Sequence, residues 1–507
     1  MKLLLRSLSL LIAITCVVWV AVLWRWQTTH DDLSPGDVAL YLGALPLALF
    51  TVAMTARWAF SGLDERAAKR QASRVAAATP QAAPARTAGE AELMATMHLL
   101  CAAINCAAGN TPQAVAAAIG EQRPGLDREL VDDDGLPVMA ARIDGLDATM
   151  LSPPLGIAEN LAQRRDATWA SLETSAPTSR ALAALAPCLD AVFAALVPWR
   201  ERLGVKDGSE HDDGMHSDNG TRMVVPAAPS RVLVYVAWPN DATPFDRAVA
   251  DLWLQRAIDE RRTGIVGAGR IVRPPAEPTS SGPALLRHAD EAMVRMRRES
   301  APNDLVLLLA AESHIAEPAV QRWRREGLLY GSRNPKGRIP GEAAAALLLA
   351  PVAWSNDDDA ATAVLHRPPI GARDKPVDGA GRIDAKLASS MAEQALAVAG
   401  LEPAAIAAIV SDADQATPRG LETHAVVHGL LSHLDAGADV ASTGVACGHV
   451  GAPSTLIAIA LAAHRSLDEN KPCLALSVGD PLARTAIVAR PCAPASTAAS
   501  ATPTALG

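Results

Sequence analysis

Between residues 231 and 491 short, almost wholly apolar runs alternate with longer stretches whose apolar residues return every three or four positions. A run that is apolar at every position reads as a strand covered on both faces, and the longer repeat reads as a helix with one apolar side. By this rule "RVLVYVAWP" (231–239), "DLVLLLAAES" (304–313), "GEAAAALLLAP" (341–351), "AIAAIVSDAD" (405–414), "CLALSVG" (473–479) and "RTAIVARP" (484–491) are strands, the last two pairing with each other. "DRAVADLWLQRAIDERR" (246–262), "GPALLRHADEAMVRMRRES" (282–300), "DAKLASSMAEQALAVAGL" (384–401) and "STLIAIALAAHRSLDEN" (454–470) are helices. The alternation predicts an α/β protein whose sheets are buried by helices.

The amino-terminal pattern differs. Residues 8–24, "LSLLIAITCVVWVAVLW", carry no charge and are long enough to cross a bilayer, and 38–56 form a second such run. A cleaved signal peptide is the competing reading of the first run, but Arg25, Trp26 and Gln27 follow it instead of a small-residue cleavage site. Trp24, Trp26 and Trp58 stand at the edges of the runs, where indoles favour the interface. Lys2 and Arg6 precede the first run, Arg57, Arg66, Lys69, Arg70 and Arg74 follow the second, and the loop between holds Asp31, Asp32 and Asp37. Basic residues stay on the cytoplasmic side, so the pattern predicts a two-span anchor in a bacterial inner membrane with both termini and the soluble domain cytoplasmic.

Composition divides the rest. Residues 1–60 are the anchor and 61–92 an Ala/Pro-rich linker. The predicted domain runs over 93–203 and 230–490, split by a Gly/Ser/Asp loop at 204–229, and 491–507 form a disordered tail. The loop's His211, Asp212, Asp213, His216 and Asp218 fit a surface turn better than a metal site. The net charge of −9 offers no basic face for nucleic acid. The seven cysteines include no CxxC pair, so neither a zinc site nor a disulfide framework is expected, and no cofactor is implied.

Several segments, in order, resemble the thiolase-like fold of β-ketoacyl synthases. "INCAAGNTPQAVAAAIGEQRPGL" (104–126) resembles the first strand, turn and helix. "GRIPGEAAAALLLA" (337–350) resembles the "PGEGAAALVL" strand, with Pro340, Gly341 and Glu342 in register, and "ALAVAGLEPAAIAAIV" (395–410) the approach to a first catalytic histidine. "CGHVGAPSTLIAIALA" (447–462) resembles the segment carrying a second. The resemblance implies a duplicated α/β/α/β/α layered domain with a cysteine at the mouth of the helix at 282–300, where the helix dipole would lower its pKa. The chain has Thr279, Ser280 and Ser281 there. The first histidine position falls on Asp412 or Ala413, the lysine expected before the second histidine is Gly444, and the glycine-rich closing loop has become "SVGDPLARTA", with Asp480 and Arg484. Only His449 remains, and these are read as vestigial positions with no catalytic role. A hydroxyl is a poor nucleophile without a strong base, and the sequence nominates no group to orient His449.

A two-span anchor, a linker and a degenerate thiolase-like domain, with "RVLVYVAWPND", "DLVLLLAAES", "GRIPGEAAAALLL" and the acidic "VDDDGLPVMAARI" (131–143), resemble the type VI lipase adapter family. The resemblance implies a non-enzymatic adaptor that recruits a lipase effector to the type VI spike protein. Candidate partner-binding residues are Trp238 and Asp241, and Trp323, Arg324 and Tyr330 in "VQRWRREGLLYGSR" (320–333), since Trp, Tyr and Arg dominate interface energetics. Inward packing of Trp238 and Trp323 is the competing reading. The alternatives are a membrane-anchored acyl transferase or hydrolase using Ser280 or Ser281 with His449, and an acyl-carrier-binding protein. A homodimer is compatible with either.

Overall fold

The computed structural model describes Trp19 and residues 95–121, 123–131, 135–146, 172–205, 230–239, 241–274, 279–298, 304–332, 334–351, 354, 362–377 and 384–492. The two predicted spans, apart from Trp19, lie outside these residues, as do the linker up to 92, nearly all of the 204–229 loop and the tail from 493. Two compact units divide the chain, Met1–Ala88 and Gly89–Gly507, and every element named below lies in the second.

Its elements are β1 (Thr96–Cys106), α1 (Pro112–Glu121), β2 (Gly125–Val131), β3 (Pro137–Ala140), α2 (Ala176–Leu196), β4 (Val232–Ala237), α3 (Pro244–Arg261), β5 (Ile271–Val272), α4 (Gly282–Arg298), β6 (Leu305–Ser313), α5 (Glu317–Arg325) and β7 (Glu342–Ala350). There follow β8 (Ala363–His366), β9 (Ile370–Ala372), α6 (Lys386–Ala399), β10 (Ala408–Ser411), α7 (Thr417–Leu430), β11 (Val440–Ser442), α8 (Gly444–Cys447), α9 (Pro453–Glu469), β12 (Cys473–Ser477) and β13 (Ala483–Pro491). β2 and β3 form a hairpin of their own.

The main sheet runs β11-β10-β12-β13-β8-β1-β7-β6-β4-β5, with β9 beside β13. It is an internal repeat. In chain order β1–α2–β4–α3–β5–α4–β6–β7 matches β8–α6–β10–α7–β11–α9–β12–β13. In space both sets of five strands take the order third, second, fourth, fifth, first. The pairing senses agree as well. The third and fourth strands of each set lie parallel to the second, and the fifth lies antiparallel to the fourth and to the first. The halves meet where β1 and β8 pair antiparallel.

Successive side chains of a strand point to opposite faces, and each face here has its own helices. Leu347 and Leu349 of β7 and Val306 and Leu308 of β6 enter a central core with Leu285 of α4 and Leu456 and Ile457 of α9. Ala408 and Val410 of β10 and Ile487 of β13 reach the same core from the second half. Leu348 of β7 and Leu307 of β6 face the other way, onto α2 and α3 through Leu185, Leu189 and Leu254. Ile409, Leu474 and Val488 likewise face α6 and α7 through Leu396 and Val426. The layers are therefore outer helices, one half-sheet, the α4/α9 pair, the other half-sheet and outer helices. Coverage of both faces is why the strands read as unbroken apolar runs.

α2 was not anticipated. With Trp199 it makes a stretch, Ala176–Trp199, long and apolar enough to cross a membrane by length and composition, and it lies in the outer core of the first half. Ser175 caps it, and Asn105 Nδ2 donates to its Ala184 carbonyl at 3.1 Å. The halves part between β7 and β8.

Candidate functional site

The repeat brings the amino-terminal ends of α4 and α9 together. A methyl group on Gly282 would collide with the Thr455 side chain, so the first turn of α4 sits directly on α9. Beside this contact opens a cleft of about 410 Å³ whose walls include Ser280, Ser281, Glu312, His314, Trp323, His449 and Asp480. The mouth of the sequence-predicted helix and the histidine segment thus share one concavity, although about 170 residues separate them.

At the mouth of α4 the hydroxyls are in use. Thr279 Oγ1 lies 3.1 Å from His288 Nε2, and its carbonyl accepts the Trp238 N–H at 3.1 Å. Ser281 Oγ accepts the Ala284 N–H at 3.3 Å, an amino-terminal cap. Ser280 lines the cleft, and no cysteine stands among the cleft's described residues.

His449 follows α8 across Gly448, whose φ of +68° suits glycine. Its backbone N–H donates to the Ile339 carbonyl at 2.8 Å. Its Nδ1 lies 3.1 Å from Asp414 Oδ2. Burial pushes the imidazole down to about 4, against the pull of Asp414. Burial also acts to raise the Asp414 carboxyl, but the His449 hydrogen bond and the Arg419 charge hold it at about 2. At neutral pH an ionised carboxylate therefore faces a neutral imidazole. The carboxylate only accepts, so Nδ1 carries the proton and Nε2 keeps its lone pair. The sequence did not nominate this orienting group. Its only trace was a second acidic residue in the "SDAD" turn.

The ring of His449 stacks on that of His314 at 5.6 Å and meets the edge of Trp323 at 5.5 Å. His314 Nε2 stands 3.3 Å from Glu312 Oε1 at an angle that makes no hydrogen bond. Glu312 Oε2 accepts the Ala452 N–H at 3.1 Å, placing a carboxylate at the positive end of α9.

Neither Asp412 nor Ala413 faces His449. Asp412 is buried and accepts from Ser477 Oγ (2.6 Å), Val478 N (2.6 Å), Gly479 N (2.7 Å) and Thr455 Oγ1 (3.1 Å). Burial pushes its carboxyl up despite these donors. It ties the loop after β12 to the start of α9. Ala413 packs in the second outer core. Glu342, in the "PGE" stretch, is fully buried; Arg180 of α2 grips it at 2.7 and 2.6 Å, and Ile143 N and Ser313 Oγ complete the shell. Arg484 is buried against Glu422 at 2.6 Å.

The candidate partner-binding residues divide. Trp238 and Trp323 are buried, so the expectation that they anchor a partner from the surface is corrected. Trp238 Nε1 donates to Asp251 at 2.9 Å, and Trp323 backs His314 and His449. Asp241 is exposed and ion-paired with Arg322. Arg324 and Tyr330 are half-buried.

Fold and site together define a duplicated, five-layered α/β protein with one cleft at the meeting point of its two central helices. No family model matches the chain, and no curated protein matches it. Among solved structures, it is similar to the ishigamide ketosynthase/chain length factor (18% identity, 78% of this chain and 99% of that one, TM-score 0.46). It is similar to a β-ketoacyl synthase from Burkholderia phymatum (15%, 78% and 99%, TM-score 0.48). It is also similar to an oxazolomycin ketosynthase domain from Streptomyces albus (12%, 79% and 74%, TM-score 0.49).

Proposed function

We propose that this chain is a non-enzymatic adaptor on a thiolase-like scaffold of β-ketoacyl synthase ancestry. It brings a lipase effector to the spike protein of a type VI secretion machinery, held at the inner membrane by its two amino-terminal apolar runs. The observation that carries the non-enzymatic part is the mouth of α4. Among the described residues it presents no thiol, Ser281 is occupied as a helix cap, and Thr279 is bound to His288. The secretion role rests on the resemblance of the sequence to the lipase adapter family. Co-expression of the full chain with a lipase effector and a spike protein from its gene neighbourhood tests the role. A complex recovered from detergent extracts is the expected result, and binding to neither protein would overturn it.

One observation favours a second reading, a residual acyl transferase or hydrolase. His449 has the orienting carboxylate that a catalytic dyad requires, and Ser280 borders the same cleft. Thioester probes separate the two. The adaptor forms no acyl-enzyme. A hydrolase would acylate Ser280, and His449→Ala would abolish acylation without unfolding the chain.

A further inference from the structure

Cys106 closes β1, and Cys447 is the last residue of α8. Among the described residues both are buried free thiols, and their sulfurs lie 3.5 Å apart although 341 positions separate them in the chain. We propose that Cys106 and Cys447 form a reversible disulfide, made when hydrogen peroxide oxidises the pair. The adaptor reading plays no part in this assignment.

The chemistry balances with peroxide as the oxidant. The Cys106 sulfur attacks one peroxide oxygen, the O–O bond breaks, and a sulfenic acid and water result. The Cys447 sulfur then attacks the sulfenic sulfur, the S–O bond breaks, and a second water leaves. Two thiols have lost two protons and two electrons, and the peroxide has been reduced to two waters. The order follows from the contact itself. Cys447 Sγ donates to Cys106 Sγ, and that hydrogen bond holds the Cys106 thiol below its usual value; the same contact and burial push Cys447 up. Cys106 is therefore the readier thiolate and Cys447 the resolving partner. An open cavity of about 550 Å³ is lined in part by Ala107 and Ala446, the chain neighbours of the two cysteines.

Bond formation must draw the sulfurs from 3.5 Å to about 2.05 Å. Cys106 is the less movable partner. Its N–H and carbonyl both bond Gly109, at 2.9 and 3.0 Å, in a closed turn. Cys447 ends a four-residue helix and precedes Gly448, so the shift falls on the segment that leads to His449. Oxidation thereby tugs the cleft.

The test is performed on the purified full chain. It is exposed to hydrogen peroxide, unfolded, alkylated and digested, and the peptides are weighed. The expected product is a Cys106–Cys447 peptide pair lighter by two hydrogens, which a reductant separates. In Cys447→Ser the sulfenic acid has no resolving thiol, so a dimedone adduct on Cys106 is expected. If that variant fails to fold, the wild-type peptides decide alone. Recovery of both thiols alkylated, at a peroxide dose that oxidises the half-exposed Cys101 or Cys492, overturns the proposal. So does a cross-link of Cys106 to any other cysteine.

Discussion

Asp414 holds the Nδ1 side of His449 at 3.1 Å while Arg419 lies 3.5 Å from the same carboxylate. A buried imidazole is thus oriented by a charge that is itself balanced by a buried guanidinium. The carboxylate orients the imidazole as in a catalytic triad, while at the mouth of α4 Thr279 bonds the His288 ring and Ser281 caps the helix. The cluster is tightly interdependent, because removing one member leaves the others buried and unpaired.

That cluster makes stability depend on pH. Burial pushes the folded His449 imidazole down to about 4, from the 6.5 ordinary for an exposed histidine in the unfolded chain. Between those values the unfolded chain binds the extra proton, so stability is full above 6.5 and falls as the pH drops toward 4, by at most about 3 kcal/mol. His366 of β8, pushed down to about 4 chiefly by burial, acts in the same window and direction. Urea unfolding at pH 7 and pH 5 is expected to show the loss, and His449→Gln and His366→Gln should each reduce it. An unchanged midpoint in both variants would refute the assignment.

Asp412 is predicted to be a structural carboxylate. Asp412→Ala strands the N–H groups of Val478 and Gly479 in the interior and should cost about 3 kcal/mol or more. Asp412→Asn retains an acceptor and should cost less. Denaturant midpoints of the two variants check the ranking.

The Arg180–Glu342 pair ties α2 to β7. Arg180→Ala leaves Glu342 buried without its cation and should destabilise the domain by about 3–5 kcal/mol. Arg180→Lys, which cannot match the two-pronged contact, should recover only part. Thermal unfolding of both proteins reads the effect.

Gly451 is predicted to tolerate no side chain. Its φ is +64°, and an added methyl would run into the Glu312 carboxylate that caps α9. Gly451→Ala should lower the melting temperature by several degrees, corresponding to about 1–3 kcal/mol. Pairing it with Glu312→Ala should relieve the clash and give less than additive loss.

Much of the architecture was legible in the sequence. "DLVLLLAAES" became β6 and "GEAAAALLLAP" became β7 with ends shifted by a residue or so, because strands covered on both faces announce themselves by unbroken hydrophobicity. α3, α4, α6 and α9 were visible through their one-sided repeat. α2 was missed because "ALAALAPCLDAVFAAL" is apolar nearly all round and holds Pro187, so no one-sided period marks it as a helix despite its many alanines and leucines. β10 came out shorter than 405–414, since its end turns away to place Asp412 and Asp414 on different partners.

The sequence by itself determined that the strands are buried on both faces and that Thr279, Ser280 and Ser281 precede α4. Both are local facts, fixed by which residue occupies which position. Only the tertiary structure decided that the chain is two copies of one five-strand unit, that Asp414 serves His449 and Asp412 the closing loop, and that Arg180 neutralises Glu342. Those outcomes depend on which buried charges and donors meet across distances of up to hundreds of residues. A buried polar group requires a partner, and no local pattern states which one it will find.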